Sequence, residues 1–166
     1  MITTIESIVE ESKIKLMSQE LPLIIMGVAA KRLVIDFPKK LNVISVTKDM
    51  FIDPSLCKNH LQISIDDLDT DEKEYPSYTY AEKEHIQQVI EFAKQNKPIH
   101  IIHCHAGLSR SPAMAYAIFR SEGMSKDEAM KKVLRINPYA FPNKRIVKFT
   151  DEMFNEIPKT TNVANP

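Results

Sequence analysis

The sequence predicts an α/β domain in which a central, mostly parallel sheet of about four to five strands is flanked by helices. Short apolar runs rich in β-branched residues alternate along the chain with longer segments of helical periodicity. The length of 166 residues suits a single hydrophobic core. The 22 basic and 22 acidic residues cancel, so net charge gives no reason to expect a nucleic-acid or membrane partner.

The first half of the chain is predicted to contain an N-terminal helix and three strands. The helical extension covers residues 1–20, where Thr3 or Thr4 can cap the helix and Pro22 ends it. A short helix over AAKRLVIDFPKK is predicted to end at Pro38. The three strands are predicted at 23–26, 41–46 and 60–65.

The second half is predicted to alternate one buried strand with helices. Thr79 and Glu82 form a capping-box pattern before a helix that ends near Asn96. Pro98 separates that helix from the apolar run 99–104, which we interpret as a buried strand. Three further helices are predicted at about 110–122, 125–135 and 143–156.

Residues 21–157 are expected to form one domain after the extension, and 158–166 are expected to be a mobile tail. The longest apolar run, 21–30, has half the length that a membrane-spanning helix needs. The N-terminus lacks the apolar centre of a secretory signal, and the two cysteines are too few for a disulfide framework. We therefore expect a cytoplasmic protein with free thiols, whose oligomeric state the sequence leaves open.

The segment HCHAGLSRS, residues 103–111, concentrates reactive groups between a predicted strand and a predicted helix. Ala106 and Gly107 allow the backbone to curl so that successive N–H groups point inward, which binds anions such as phosphate at a helix N-terminus. Arg110 can hold two phosphate oxygens at once. A Cys104 thiolate, favoured by the helix N-terminus and the arginine, would lie beneath the phosphate and could attack phosphorus.

HCHAGLSRSP resembles the HCxxGxxR[ST] signature of the cysteine-dependent protein phosphatases. Its AGxSRS form is similar to the compact dual-specificity and tyrosine phosphatases, and it resembles a bacterial group of predicted tyrosine phosphatases with a downstream Pro-Asn, present here in LRINPYAFPN. The similarity covers about 23–154. The resemblance implies a cysteine-phosphatase-like fold for the 21–157 domain and hydrolysis through a phosphocysteine intermediate, with no metal and no cofactor.

By that resemblance, Cys104 would be the nucleophile and Arg110 the phosphate clamp. The leaving oxygen needs a proton, which calls for an acid on a nearby loop. The family places an aspartate after a strand upstream of the signature, and this selects Asp67 in ISIDDLDTDE. The neighbouring aspartates stay open as alternatives: Asp66, Asp69 and Asp71.

The remaining residues of the signature are expected to bind substrate or to support the nucleophile. Ser111 is expected to stabilise the departing thiolate, His103 to point away from the thiol, and Asn143 to brace the signature loop or simply to cap a helix. Cys57 is interpreted as a core thiol. The expected substrate-binding residues are His105, Ala106, Gly107, Leu108, Ser109 and Arg110.

The expected activity is hydrolysis of phosphotyrosine, and with it phosphoserine and phosphothreonine, in a phosphorylated protein partner. The loop contains no lysine, which favours proteins over inositol and lipid phosphates. Three alternatives stay open: a pseudophosphatase that binds phosphoproteins without turnover, a phosphatase of a small phosphorylated metabolite, and a redox protein that uses Cys57 and Cys104.

Overall fold

The computed structural model describes residues 3–155. The predicted mobile tail at 158–166 lies outside the described residues. None of the helices between residues 3 and 155 has the length and hydropathy that a bilayer-spanning segment requires.

A four-stranded sheet forms the centre of the molecule, with strand order β1-β4-β2-β3. All three neighbouring pairs are parallel, so the carboxyl ends of the strands meet at one edge. This confirms the predicted α/β class with a parallel sheet. The strands are β1 Leu23–Met26, β2 Asn42–Val46, β3 Asn59–Ile63 and β4 Ile101–Cys104.

Helices cover both faces of the sheet. On one face, α1 and α2 enclose a core that includes Val9, Leu33 and Val43. On the other face, α3 to α6 enclose a larger core that includes Ile44, Ile102 and Cys104. The helices are α1 Ile5–Met17, α2 Gly27–Asp36, α3 Lys83–Gln95, α4 Arg110–Ser121, α5 Lys126–Ile136 and α6 Lys144–Met153.

The N-terminal helix is packed onto the domain. Val9 is 2% exposed and Leu16 is 9% exposed, both in the core shared with α2. Lys13 adds an ion pair with Asp36 at the end of α2, with 3.0 Å between Nζ and Oδ2. The extension therefore shields one face of the sheet from water.

Local capping explains where most helices begin, and one predicted cap is wrong. Helix α3 is capped by Glu82, whose capping box is completed by His85. The predicted Thr79–Glu82 box does not form, because Thr79 pairs with Asp66 instead. The Thr79 N–H donates to the Asp66 carboxylate at 2.7 Å, and the Asp66 N–H donates to the Thr79 carbonyl at 2.8 Å.

Candidate active site

The signature loop, residues 104–110, connects β4 to α4 at the carboxyl edge of the sheet. Its turn requires a glycine. Gly107 has φ +76°, and a Cβ there would lie 2.5 Å from the Ile25 carbonyl carbon. Both features exclude a side chain, so the loop can pass close over β1 only with glycine at this position.

The Cys104 thiol lies at the floor of the signature loop and is 2% exposed. Its Sγ accepts a hydrogen bond from the Gly107 N–H at 3.2 Å and another from the Ser111 hydroxyl at 3.2 Å. Both donors face a sulfur at the N-terminus of α4. The two donors and the N-terminus of α4 are therefore placed to stabilise negative charge that develops on this sulfur.

The Arg110 guanidinium is anchored on one side. Its Nη1 donates to the Ile65 carbonyl at 2.9 Å, just beyond the end of β3. Its Nε is buried and has no hydrogen-bond partner within residues 3–155. A buried guanidinium N–H beside a loop of backbone N–H groups is a donor that an anion such as phosphate can satisfy.

The acidic loop, residues 66–82, brings Asp67 to the signature loop. The Ser109 hydroxyl donates to Asp67 Oδ1 at 2.7 Å, and the Asn143 side-chain amide donates to the same oxygen at 2.9 Å. Asp67 is nevertheless exposed to solvent. Its other carboxylate oxygen, Oδ2, accepts no hydrogen bond from the described residues.

The Asp66 carboxylate is engaged elsewhere. Burial raises the pKa of Asp66, but hydrogen bonds from Lys48 and from the Thr79 N–H outweigh burial, so the net pKa is lowered. Asp71 pairs with Lys148 at 2.9 Å. Of the four candidate aspartates, Asp67 is therefore the one that hydrogen-bonds the signature loop.

His103 lies behind the signature loop, on the sheet face covered by α1 and α2. It is fully buried, and its Nε2 is 2.6 Å from the Ser45 hydroxyl, which is 2.8 Å from His60 Nε2. Burial lowers the pKa of His103 to about 4, so the ring is neutral at neutral pH. Its Nδ1, 3.1 Å from the Cys104 carbonyl, is then assigned as the N–H donor that fixes the backbone beneath the thiol.

His105 lies at the rim of the site with a side chain that is 65% exposed. Its Nδ1 is 2.9 Å from Asp49 Oδ2, and its ring meets the Phe51 ring edge-on at 5.5 Å between centroids. The hydrogen bond with His105 lowers the pKa of Asp49. The rim therefore carries the Asp49 carboxylate.

The segment 137–143 braces the signature loop from outside. In the sequence, its Pro-Asn end forms part of the family resemblance, but only Asn143 is expected to have a role in the site. An asparagine next to a proline at each end of NPYAFPN is the signal that could have indicated it. The segment donates a hydrogen bond to each of three consecutive backbone carbonyls of the signature loop. The donors and acceptors are Asn137 Nδ2 to Gly107 O (2.9 Å), Phe141 N to Leu108 O (2.7 Å) and Asn143 N to Ser109 O (3.0 Å).

The second cysteine takes no part in this site. Cys57 is 7% exposed in the core beneath α2, whereas Cys104 belongs to the core beneath α3 to α6. Burial raises the pKa of the Cys57 thiol to about 11. Within residues 3–155, no three His, Cys, Asp or Glu side chains converge as metal ligands would.

The chain is similar to known proteins in sequence and in fold. Residues 26–153 match the family model described as dual specificity phosphatase, catalytic domain. Human DUSP28 is 17% identical, with 80% of this chain and 90% of that chain covered and a TM-score of 0.58. PTPMT1 in complex with PI(5)P is 18% identical, with 81% and 88% covered and a TM-score of 0.57. Tk-PTP in the active form is 18% identical, with 81% and 90% covered and a TM-score of 0.55.

A sequence search of curated proteins gives no significant match. At these identities, the matches to solved structures establish a shared fold.

Proposed function

Because the chain belongs to the dual-specificity phosphatase catalytic-domain family, it is a cysteine-based phosphatase, and we propose that it hydrolyses phosphotyrosine in proteins. Phosphoserine and phosphothreonine are proposed as further substrates. Two observations at the signature loop carry the proposal. The Cys104 sulfur lies on the floor of the signature loop, and Asp67 is hydrogen-bonded to Ser109 of the same loop.

In the first proposed step, the loop N–H groups and Arg110 bind the phosphate. The Cys104 thiolate attacks phosphorus, so an S–P bond forms while the bond to the leaving oxygen breaks. Asp67, in its protonated form, donates its proton to that oxygen, so the substrate leaves as a neutral alcohol or phenol. The hydrogen bonds from Ser109 and Asn143 to Oδ1 support this role by orienting the carboxyl group.

In the second proposed step, water hydrolyses the phosphocysteine. The Asp67 carboxylate accepts a proton from the water as its oxygen attacks phosphorus, and the S–P bond breaks. The thiolate that leaves is stabilised by the Gly107 N–H and the Ser111 hydroxyl, each 3.2 Å from the sulfur. Inorganic phosphate is released, and the thiolate is regenerated.

The charges around the site favour a substrate with a single phosphate. Arg110 is the cation of the signature loop, whose variable positions are neutral residues and His105. Asp49 and Asp67 lie on the rim, and nearby Lys48 is paired with Asp66. A headgroup with several phosphates would meet the Asp49 carboxylate on the rim, where it needs a cation.

The test is turnover by the purified chain in the presence of a metal chelator. We expect release of phosphate from a phosphotyrosyl peptide, slower release from phosphoseryl and phosphothreonyl peptides, and little from PI(5)P or small phosphorylated metabolites. Faster turnover of PI(5)P or of a metabolite would overturn the protein substrate. A phosphocysteine that forms and persists without turnover would favour a phosphoprotein-binding module.

A further inference from the structure

Arg145 is a charged side chain buried in the second position of α6. The residue is 3% exposed, although arginine is almost never fully buried unless its charge is paired. It lies outside the signature loop and contacts none of the groups that we propose for the chemistry. Its burial therefore needs an explanation from its own contacts.

Those contacts join the two ends of the acidic loop. Nη1 donates to the Thr70 and Asp71 carbonyls, each at 3.0 Å, near the start of the loop. Nε donates to the Ala81 carbonyl at 2.7 Å, and Nη2 lies 3.3 Å from Glu82 Oε2, both at the end of the loop. One planar guanidinium therefore spans a loop that has no helix or strand of its own.

The orientation of the guanidinium is fixed by aromatic rings. Its carbon lies 4.6 Å from the Phe149 ring centre and 5.4 Å from the Tyr80 ring centre. Tyr80 belongs to the acidic loop and is 4% exposed. The two rings favour this position of the guanidinium, from which its hydrogen bonds reach both ends of the loop.

The same end of α6 also reaches Asp67. Asn143, the residue that caps α6, donates to the Asp67 carboxylate at 2.9 Å and to the Leu68 carbonyl at 3.2 Å. Arg145 then takes the carbonyls of Thr70 and Asp71. The start of α6 thus hydrogen-bonds the acidic loop along the stretch that carries Asp67.

We propose that Arg145 is a positioning residue that ties both ends of the acidic loop to α6 and so holds Asp67 over the signature loop. This inference rests on the proposed function, in which Asp67 protonates the leaving group. Removing Arg145 would leave Cys104 and Arg110 in place but would let the acidic loop move. Attack by the thiolate would then persist, while protonation of the leaving oxygen would weaken.

The experiment compares kcat/KM for two aryl phosphates, phenyl phosphate and 2,4-dinitrophenyl phosphate. Phenolate needs a proton to leave, whereas dinitrophenolate does not. Arg145→Met should lose about 10-fold or more with phenyl phosphate and much less with the dinitrophenyl ester, since general-acid catalysis contributes about 10²–10⁴-fold. Asp67→Asn, measured in parallel, gives the leaving-group dependence of an enzyme without its acid.

Arg120→Met is the matched control. Arg120 is 4% exposed, donates to the Phe154 carbonyl at 2.7 Å and lies in α4 away from the acidic loop. Its replacement removes a buried guanidinium whose hydrogen bond goes to Phe154 rather than to the acidic loop, so we expect any loss to be equal for the two substrates. Arg145→Lys keeps the charge but cannot span both ends of the loop, and we expect an intermediate, leaving-group-dependent loss.

Equal losses of Arg145→Met on both substrates, or the same leaving-group dependence in Arg120→Met, would overturn the positioning role while the proposed function stands. If Asp67→Asn loses the same factor of kcat/KM with phenyl phosphate and with 2,4-dinitrophenyl phosphate, the proposed acid is overturned and the inference with it. Circular dichroism checks that each variant is folded. If Arg145→Met does not fold, Arg145→Lys decides, and a uniform loss or no loss in that variant would overturn the inference.

Discussion

The signature loop and the acidic loop form one site but are held in different ways. In the signature loop, the thiol of Cys104 is buried, and its hydrogen-bond donors, Gly107 and Ser111, lie within the next seven positions of the chain. In the acidic loop, Asp67 is exposed, and the amide that holds it belongs to Asn143, 76 positions away.

The signature loop therefore holds the reacting thiol and the phosphate-binding groups, whereas the contacts of the acidic loop align Asp67. A strand, a tight loop and a helix bring the thiol, the N–H groups and Arg110 together, so a short motif predicts which groups meet there. Residues 137–143 and the Ile65 carbonyl then brace that loop from outside. The acidic loop has no regular structure to orient it and depends on contacts from α6. Substitutions in the signature loop should abolish activity, whereas substitutions around the acidic loop should lower it by smaller factors.

The largest effect should come from the floor of the signature loop. Cys104→Ser should lower kcat/KM for a phosphotyrosyl peptide by about 10⁴-fold or more, because an unactivated hydroxyl replaces the thiolate. Phosphate release by the wild type and the variant, with unfolding curves as the control for folding, measures this. Activity retained by a folded Cys104→Ser protein would show that the thiol is not the nucleophile.

The second-largest effect tests which aspartate of the acidic loop is the general acid. Asp67→Asn should lower kcat/KM for phenyl phosphate by about 10²–10³-fold through loss of the proton donor. Asp66→Asn is the matched control, because its carboxylate is held by Lys48 and Thr79, and its loss should be much smaller. A larger loss in Asp66→Asn than in Asp67→Asn would reverse the assignment.

A third prediction concerns how the stability contributed by His103, which lies behind the signature loop, depends on pH. Because the pKa of His103 is lowered from 6.5 to about 4, the unfolded chain binds an extra proton between these values. The contribution of neutral His103 to stability is therefore complete above pH 6.5 and is lost as the pH falls to 4. The difference between these two pKa values corresponds to about 3 kcal/mol.

Urea unfolding of the wild type and of His103→Asn at pH 7, 5 and 4 checks this expectation. His103→Asn should be less stable at pH 7, since it loses the Ser45 and Cys104 hydrogen bonds. The gap between the two proteins should narrow toward pH 4. Parallel stability curves would mean that His103 does not titrate as its burial requires.

The smallest effect should come from the cap of α6, where stability and alignment can be separated. Asn143→Ser keeps a capping oxygen for the Ile146 N–H but loses the amide that holds Asp67, so kcat/KM for phenyl phosphate should fall about 10-fold with little change in stability. Asn143→Ala should lose the same activity and about 1 kcal/mol of stability as well. Full activity in Asn143→Ser would show that this amide does not align the acid.

The secondary structure follows the sequence where its signals are local. Thr4 caps α1 and Asn143 caps α6 as predicted, and a Ser125–Glu128 capping box begins α5. The failed Thr79 cap shows the limit of such signals. A hydroxyl near a helix start predicts a cap, but a group far away in the sequence can bind the backbone of that residue instead. Asp66 binds the backbone of Thr79 in this way.

The sequence by itself determined the α/β class and the chemical content of the signature loop. Hydrophobic periodicity and the spacing of Cys104, Gly107 and Arg110 are local properties, which a strand, a turn and a helix turn into geometry. Only the tertiary structure decided which aspartate meets that loop and that Arg145 ties the acidic loop to α6. Those contacts join segments more than 40 positions apart, and an arginine in a first helical turn is indistinguishable in sequence from a surface charge. Their formation depends on how α6 and the acidic loop pack in three dimensions.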